Sequence, residues 1–190
     1  MKLLYVSCFP KDYFSEIEKK AINTTSLPSQ KFNRLLMEGF LKNNIDVEVL
    51  VTFDQIAKNN KVYTDQISMF QEGATTYYFL PFFKKKNREN NCRILKKFAN
   101  EWEMKNPNGV VFIDVLKPYV DYIYRYFRKS RLITVVTDLP SDLNRKDGFL
   151  NKIKSLLKEH LFRLNIRKST SFVFLTSAMN TKLNKHGKPF

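Results

Sequence analysis

The sequence is poor in several residue types on which common functional sites depend. Its two cysteines, Cys8 and Cys92, are far apart and have no histidine nearby, which excludes zinc-finger spacing and a disulfide framework and is typical of reduced, cytosolic thiols. It has five glycines and none before Gly39, so the turn after the N-terminal apolar segment lacks the glycine-rich fingerprint of dinucleotide-binding folds. We therefore exclude NAD binding.

Long apolar runs and catalytic signatures are absent as well. No segment approaches the ~18 apolar residues needed to span a bilayer, and the apolar opening is too short for a signal peptide. No group of His, Cys, Asp and Glu has metal-ligand spacing, and there is no nucleophile elbow or Walker loop. We expect a metal-free cytoplasmic protein, either free or in peripheral contact with the inner face of the membrane.

Positive charge and aromatic residues are abundant. The 190 residues include 33 Lys and Arg against 18 Asp and Glu, a net charge of +15, and 17 Phe with 9 Tyr can fill the core of one domain. Such basicity makes anionic membranes, phosphorylated substrates and nucleic acid plausible partners. Because no zinc finger, RNA-recognition signature or basic zipper is present, base-specific nucleic-acid binding is not expected.

The first third of the chain predicts a strand–helix–strand unit. Apolar strands at 3–8 and 46–52 flank a helix that begins near Pro28, a residue suited to a first helical turn. Phe32, Leu36 and Phe40 recur at i, i+4 and i+8, so this stripe should face a sheet. Gly39 lies beside the stripe, where the missing side chain would let helix and strand approach closely.

Four further strands are predicted, at 75–80, 110–114, 132–137 and 172–176, and the polar stretch 54–73 is predicted to be a loop with at most a short helix. The alternation of strands and helices predicts an α/β protein, Rossmann-like and doubly wound. Its mainly parallel six-stranded sheet should have the order 3-2-1-4-5-6 and helices on both faces. A late helix, 147–168, should pack its apolar stripe on the sheet and leave its Lys and Arg solvated; the stripe comprises Leu150, Ile153, Leu157, Leu161 and Leu164.

Ligands of open α/β sheets bind beyond the carboxyl ends of the strands, at the topological switch point. The residues predicted there are Ser7, Phe9, Pro10, Asp114, Asp138, Pro140, Thr176 and Ser177 from strand ends, with Ser29, Gln30 and Lys31 from the first helix. This mixture of carboxylates, hydroxyls, an amide and a cation suits a polyhydroxylated or phosphorylated ligand. The alternative is that the aspartates cap turns and that the helix residues are ordinary first-turn residues, although the helix dipole disfavours lysine there.

Two basic segments are candidates for contact with lipid head groups or phosphate. Lys84, Lys85 and Lys86 follow two phenylalanines, and Lys152, Lys154 and Lys158 lie on the late helix. The alternative for both is an ordinary solvated surface. His160 and His186 are expected to have no catalytic role.

Four segments in order resemble the opening half of bacterial glycosyltransferases of family 4: 27–40 (LPSQKFNRLLMEGF), 43–50 (NNIDVEVL), 136–140 (VTDLP) and 172–180 (FVFLTSAMN). The resemblance implies a GT-B fold, in which two Rossmann-like halves face a cleft, and metal-independent sugar transfer from a nucleotide donor with retention. The chain, 1–190, would be a single N-terminal domain that binds a sugar or lipid-linked acceptor in cell-surface polysaccharide or glycolipid synthesis. Asp138 stands where many members have His or Asp, and is the candidate to orient the acceptor or the reacting sugar.

The resemblance has two departures. The short glycine-rich loop of many members is missing, and no two glutamates are eight positions apart, so the Glu-x7-Glu pair of the donor half is absent. The C-terminal nucleotide-sugar-binding domain is therefore expected to lie outside this chain, which alone would bind no cofactor and be catalytically silent. Two other function classes remain open: a non-enzymatic basic module for anionic membrane or nucleic acid, and a different Rossmann-like enzyme.

Overall fold

The computed structural model describes residues 1–7, 27–52, 67–80, 88–114, 120–137 and 149–190, without the side chains of 27–30, Ser68, Arg88, 149–155 and Lys158. Seven strands form one sheet: β1 (Lys2–Ser7), β2 (Asp46–Val51), β3 (Ser68–Glu72), β4 (Thr75–Phe79), β5 (Val110–Asp114), β6 (Arg131–Val136) and β7 (Ser171–Phe174). The helices are α1 (Leu27–Lys42), α2 (Arg88–Lys105), α3 (Val120–Tyr126), α4 (Phe149–Ile166) and α5 (Ser177–Leu183).

The sheet has the order β3-β4-β2-β1-β5-β6-β7. Its six parallel strands follow the predicted order, so the doubly wound, Rossmann-like class is confirmed. The count of six strands is wrong, because β3 pairs antiparallel with β4 at the sheet edge. The loop predicted over 54–73 is therefore wrong for 68–72; Gly73, with a φ of 56°, supplies the positive φ that a tight hairpin turn requires.

The sheet separates two hydrophobic clusters. On one face α1 contributes Met37, which is buried with Leu3, Tyr5 and Phe112. On the other face Leu95 and Trp102 of α2 pack with buried residues of α3 and with Ile166 of α4. All five residues of β5 are buried, as expected for a central strand covered on both faces. Helices on both faces thus enclose the parallel strands.

The stripe predicted for α1 is confirmed. Phe32, Leu36 and Phe40 all pack against the cluster on their face of the sheet. Phe40 makes edge-to-face contacts with Tyr5, at 6.0 Å between ring centroids, and with Phe112, at 5.4 Å.

The close approach predicted at Gly39 is wrong. A Cβ atom placed there would meet no heavy atom within 4 Å, so the contact between helix and strands does not require a glycine at this position. The tight contact is instead at Gly109, where a Cβ would lie 2.4 Å from the Trp102 ring.

The orientation predicted for α4 is also wrong for the part of its stripe that is described; the side chains of Leu150 and Ile153 are outside that part. Leu157, Leu161 and Leu164 are exposed, and the helix packs through Ile166 and the partly buried Phe162. Asn165 Nδ2 also donates a hydrogen bond to Asp121 Oδ1 of α3. Ile166 and Phe162 lie across the helix from the leucines, so the leucine stripe faces away from the sheet.

Candidate functional site

The topological switch point lies between β1 and β5. From β1 the chain crosses to β2 on one side, and from β4 it crosses back to β5 on the other. Val6 pairs with Ile113 across these parallel strands, so the next residues, Ser7 and Asp114, are neighbours on the same face of the sheet. Both are buried. The structure therefore brings two of the residues predicted for the site together at the carboxyl edge.

Hydrogen bonding near this edge is incomplete. Within the described part of the chain, two buried side-chain atoms have no hydrogen-bond partner, and they are Ser7 Oγ and Asn33 Nδ2. Asn33 lies on α1, and its Oδ1 accepts a hydrogen bond from the hydroxyl of Tyr5, two residues before Ser7 on the same face. Leaving such groups unpaired costs about 1–3 kcal/mol each. Both groups lie on the α1 face of the sheet, where Ser7 ends β1 and Asn33 contacts Tyr5 of the same strand.

Sequence reasoning missed Asn33. Its signal was available, because Asn33 is four residues before Met37 and therefore lies on the buried side of α1 rather than among its solvated residues. A polar side chain on the apolar side of an amphipathic helix has to find a partner. Tyr5 supplies a partner for the Asn33 carbonyl, but not for its amide nitrogen.

The other predicted residues are placed less decisively. Ser29 and Gln30 are in the first turn of α1, next to Lys31, whose side chain is exposed. Thr176 is exposed and caps α5, because its hydroxyl accepts a hydrogen bond from the Met179 amide at 3.3 Å. Thr176 and the exposed Ser177 follow β7, two strands from β5, which separates them from Asp114 by roughly 10 Å.

Several predictions fall outside the described residues. Phe9, Pro10, Asp138 and Pro140 are in this group, as are Lys84, Lys85 and Lys86. Lys152, Lys154 and Lys158 lie on α4, but their side chains are not among those described. The roles assigned to all of these residues stay predictions.

A basic groove of about 390 Å³ lies away from the switch point, near the start of β6. Two of its three cations are explained by the fold, because they serve the C-terminal carbonyls of α3, and the third, Arg125, lies on α3 itself. Arg128 Nε donates to the Arg125 carbonyl at 3.0 Å, and Lys168 Nζ donates to the Tyr124 carbonyl at 3.4 Å. We therefore assign no ligand to this groove.

The chemistry available at the carboxyl edge is hydrogen bonding. A serine hydroxyl can donate and accept, an amide nitrogen donates, and the Asp114 carboxylate accepts when it is ionised. Such a set matches a ligand with several hydroxyl groups. Among the described residues, no group of three or more His, Cys, Asp or Glu could hold a metal ion, and no helix is long and apolar enough to cross a bilayer.

Comparisons with known proteins concern the fold. No protein-family model and no curated protein matches the sequence. Among solved structures, the fold is similar to the α,α-trehalose-phosphate synthase (UDP-forming) from Burkholderia vietnamiensis, with a TM-score of 0.50 and 9% identity over 98% of this chain and 42% of that chain.

The α,α-trehalose 6-phosphate synthase from Burkholderia multivorans has a TM-score of 0.51 and 9% identity over 97% of this chain and 43% of that one. The E. coli trehalose-6-phosphate protein bound with UDP-2-fluoro glucose has a TM-score of 0.51, 9% identity and coverages of 97% and 42%. The chain thus spans less than half the length of these structures. Its mostly parallel α/β sheet matches a Rossmann-like half of a GT-B fold.

Proposed function

We propose that this chain is the acceptor-binding N-terminal half of a nucleotide-sugar-dependent glycosyltransferase. The observation that carries the proposal is the fold likeness, which includes 97–98% of this chain but only 42–43% of the neighbours. The proposal extends to the finer points of the resemblance: membership of family 4, retention at the anomeric carbon, and a role in cell-surface polysaccharide or glycolipid synthesis.

The switch point is the proposed position of the acceptor. Ser7 Oγ and Asn33 Nδ2 would gain partners from acceptor hydroxyls, and Asp114 would accept from a third hydroxyl. The chain's contribution to transfer is then to hold and orient the acceptor. The nucleotide-sugar donor would be bound by a second domain, without which this half has no transferase activity.

A matched pair of serine substitutions tests the site. Ser7→Ala removes a buried hydroxyl that has no partner, so we expect stability to rise by up to about 1 kcal/mol while acceptor binding weakens. Ser169→Ala removes a buried hydroxyl that is hydrogen-bonded to Thr134, so stability should fall while binding is unchanged. Urea titration measures the stability of both variants.

Binding is measured by chemical-shift perturbation with a panel of methyl hexosides and hexose 6-phosphates, and inorganic phosphate serves as the control. We expect a member of the panel to shift the amide signals of Ser7, Asn33 and Asp114 in the native chain and not in Ser7→Ala. A panel that shifts none of these signals, or shifts them equally in both proteins, would contradict the assignment of the acceptor site.

The high positive charge of +15 favours a second candidate function. A non-enzymatic basic module would bind anionic membrane or nucleic acid, and the fold would serve only as a scaffold. Its binding would fall steeply with salt and would not depend on sugar. Salt titration with and without a bound sugar therefore separates the two functions.

A further inference from the structure

The exposed side of α4 carries a patch of large apolar side chains. Leu156, Leu157, Leu161 and Leu164 are 66%, 60%, 51% and 40% exposed, which is unusual for residues that share one side of a helix. Leu157, Leu161 and Leu164 are four and three residues apart and are therefore neighbours along one side of the helix, and Leu156 lies at the edge of that side. We call these four residues the leucine face. Contiguous apolar surface of this kind marks a site of contact with another protein or with a membrane.

The leucine face does not result from a loosely attached helix. The opposite side of α4 is anchored, because Ile166 is buried in the core and Phe162 packs against it. At the edge of the leucine side, next to Leu161, the Asn165 side chain is hydrogen-bonded to Asp121 of α3. Turning the leucines inward would break these contacts, so the fold holds the leucine face outward.

Positive charge borders the leucine face. A cleft of about 100 Å³ lies at the C-terminal end of α4, and it is lined by Arg163, Ile166, Arg167, Phe172, Leu183, Asn184, Lys185, His186 and Lys188. Among the described residues, this lining contains four Lys or Arg and no carboxylate. Arg163 and Arg167 are one helical turn apart and follow the flank of the leucine face.

The cations of this cleft differ in how far they are neutralised. Arg163 is paired with Glu159 at 2.7 Å. Arg167 and Lys185 are exposed, and within the described ranges neither has a carboxylate partner. These two cations are therefore available to an anion that approaches beside the leucines.

We propose that α4 docks on an anionic phospholipid bilayer, with the leucine face in the interfacial region and Arg167 and Lys185 on lipid phosphates. A basic amphipathic helix lies in a membrane surface in this way, and charge complementarity selects the occupant. A second copy of this chain would bring the same cations and another +15 against the first, whereas an anionic bilayer supplies an apolar layer and negative charge together. The proposal stands apart from the enzymatic function.

Vesicle co-sedimentation tests the apolar part. We expect the chain to sediment with vesicles of phosphatidylglycerol and phosphatidylcholine and to remain free with phosphatidylcholine alone. Leu157→Ser with Leu161→Ser should weaken binding at least about tenfold, because the side chains no longer enter the interface. Met69→Ser with Met104→Ser, at two positions 67% and 70% exposed elsewhere on the surface, is the matched control and should bind like the native chain.

A second pair tests the charged part. Arg167→Gln with Lys185→Gln should weaken binding to anionic vesicles more than Lys96→Gln with Lys105→Gln, which removes the same charge from exposed positions on α2. Equal binding to the two kinds of vesicle, or native-like binding of the leucine variant, would overturn the proposal. The proposal would also be overturned if the native chain is a dimer in gel filtration and the leucine variant is a monomer, because a second copy of the chain would then cover the leucine face.

Discussion

Gly109 is the position where one added methyl group should have the clearest cost. A Cβ at this residue would lie 2.4 Å and 2.6 Å from two ring carbons of Trp102 and 2.9 Å from the carbonyl oxygen of Asn106. Trp102 has little room to retreat, because its Nε1 donates to Glu48 Oε2 at 2.7 Å and its ring packs edge-on against Phe127. Gly109→Ala therefore requires either the indole or the turn to move.

We expect Gly109→Ala to lower the free energy of unfolding by about 1–3 kcal/mol, the usual cost of overpacking a core. For a chain of this size each 1 kcal/mol corresponds to about 2–4 °C in Tm. Gly39→Ala is the matched control, because a Cβ there meets no heavy atom within 4 Å and the residue lies within α1. This control should raise stability by about 0.5–1 kcal/mol through its better helix propensity.

Urea titration followed by far-UV circular dichroism measures both variants. A double-mutant cycle with Trp102→Phe locates the cause, because phenylalanine lacks the outer indole carbons that the new methyl group would meet. The cost of Gly109→Ala should shrink by about 1 kcal/mol or more in that background. A Gly109→Ala protein as stable as the native chain, or a cost unchanged by Trp102→Phe, would refute this account of the contact.

Three further predictions concern a pH effect, a buried carboxylate and the proposed chemistry. Burial raises the pKa of Tyr124 to about 12 from an ordinary 10.0. The contribution of Tyr124 to the free energy of unfolding is therefore complete below pH ~10, and it falls by about 1.4 kcal/mol per pH unit as the pH rises towards 12. Urea titrations should show a shallower alkaline loss for Tyr124→Phe, and equal slopes would be evidence against this origin. Glu103→Ala should lower the free energy of unfolding in urea by about 1–3 kcal/mol. One oxygen of this buried carboxylate accepts hydrogen bonds from the amides of Lys129 and Ser130, each at 2.8 Å. An unchanged free energy of unfolding would show that water replaces the carboxylate as the acceptor. In an intact transferase, Asp138→Ala should reduce turnover, and unchanged kcat would remove Asp138 from the mechanism.

The parallel part of the fold could be predicted because its strands have a clear sequence pattern. Strands such as Val110–Asp114 are continuous apolar runs bounded by turn residues, a pattern that favours a sheet covered on both faces. The edge strand Ser68–Glu72 escaped prediction because it pairs on one side only and has exposed Met69, Gln71 and Glu72. Its signal lay in Gly73, which separates two short segments at hairpin spacing.

The candidate site was predictable in position and less so in its residues. Topology alone puts the carboxyl ends of neighbouring strands together, and Ser7 and Asp114 are neighbours for that reason. Asn33 comes from the middle of a helix and reaches the sheet through tertiary packing, which a search of strand ends does not include. Whether the Asn33 amide nitrogen finds an acceptor depends on its surroundings in the folded protein, and the sequence alone does not predict this.

The case of α4 shows what helical periodicity can and cannot decide. The i, i+4 and i, i+3 spacings correctly group Leu157, Leu161 and Leu164 on one side, but they do not say whether that side packs on the sheet or contacts another molecule or a membrane. The choice is made by competing contacts, since Ile166 and Phe162 satisfy the core on the other side. A helix with two apolar sides and a basic flank has one more apolar side than this sheet requires. The folding of this domain therefore does not account for the leucine face, and this is why we propose that the face contacts an anionic bilayer.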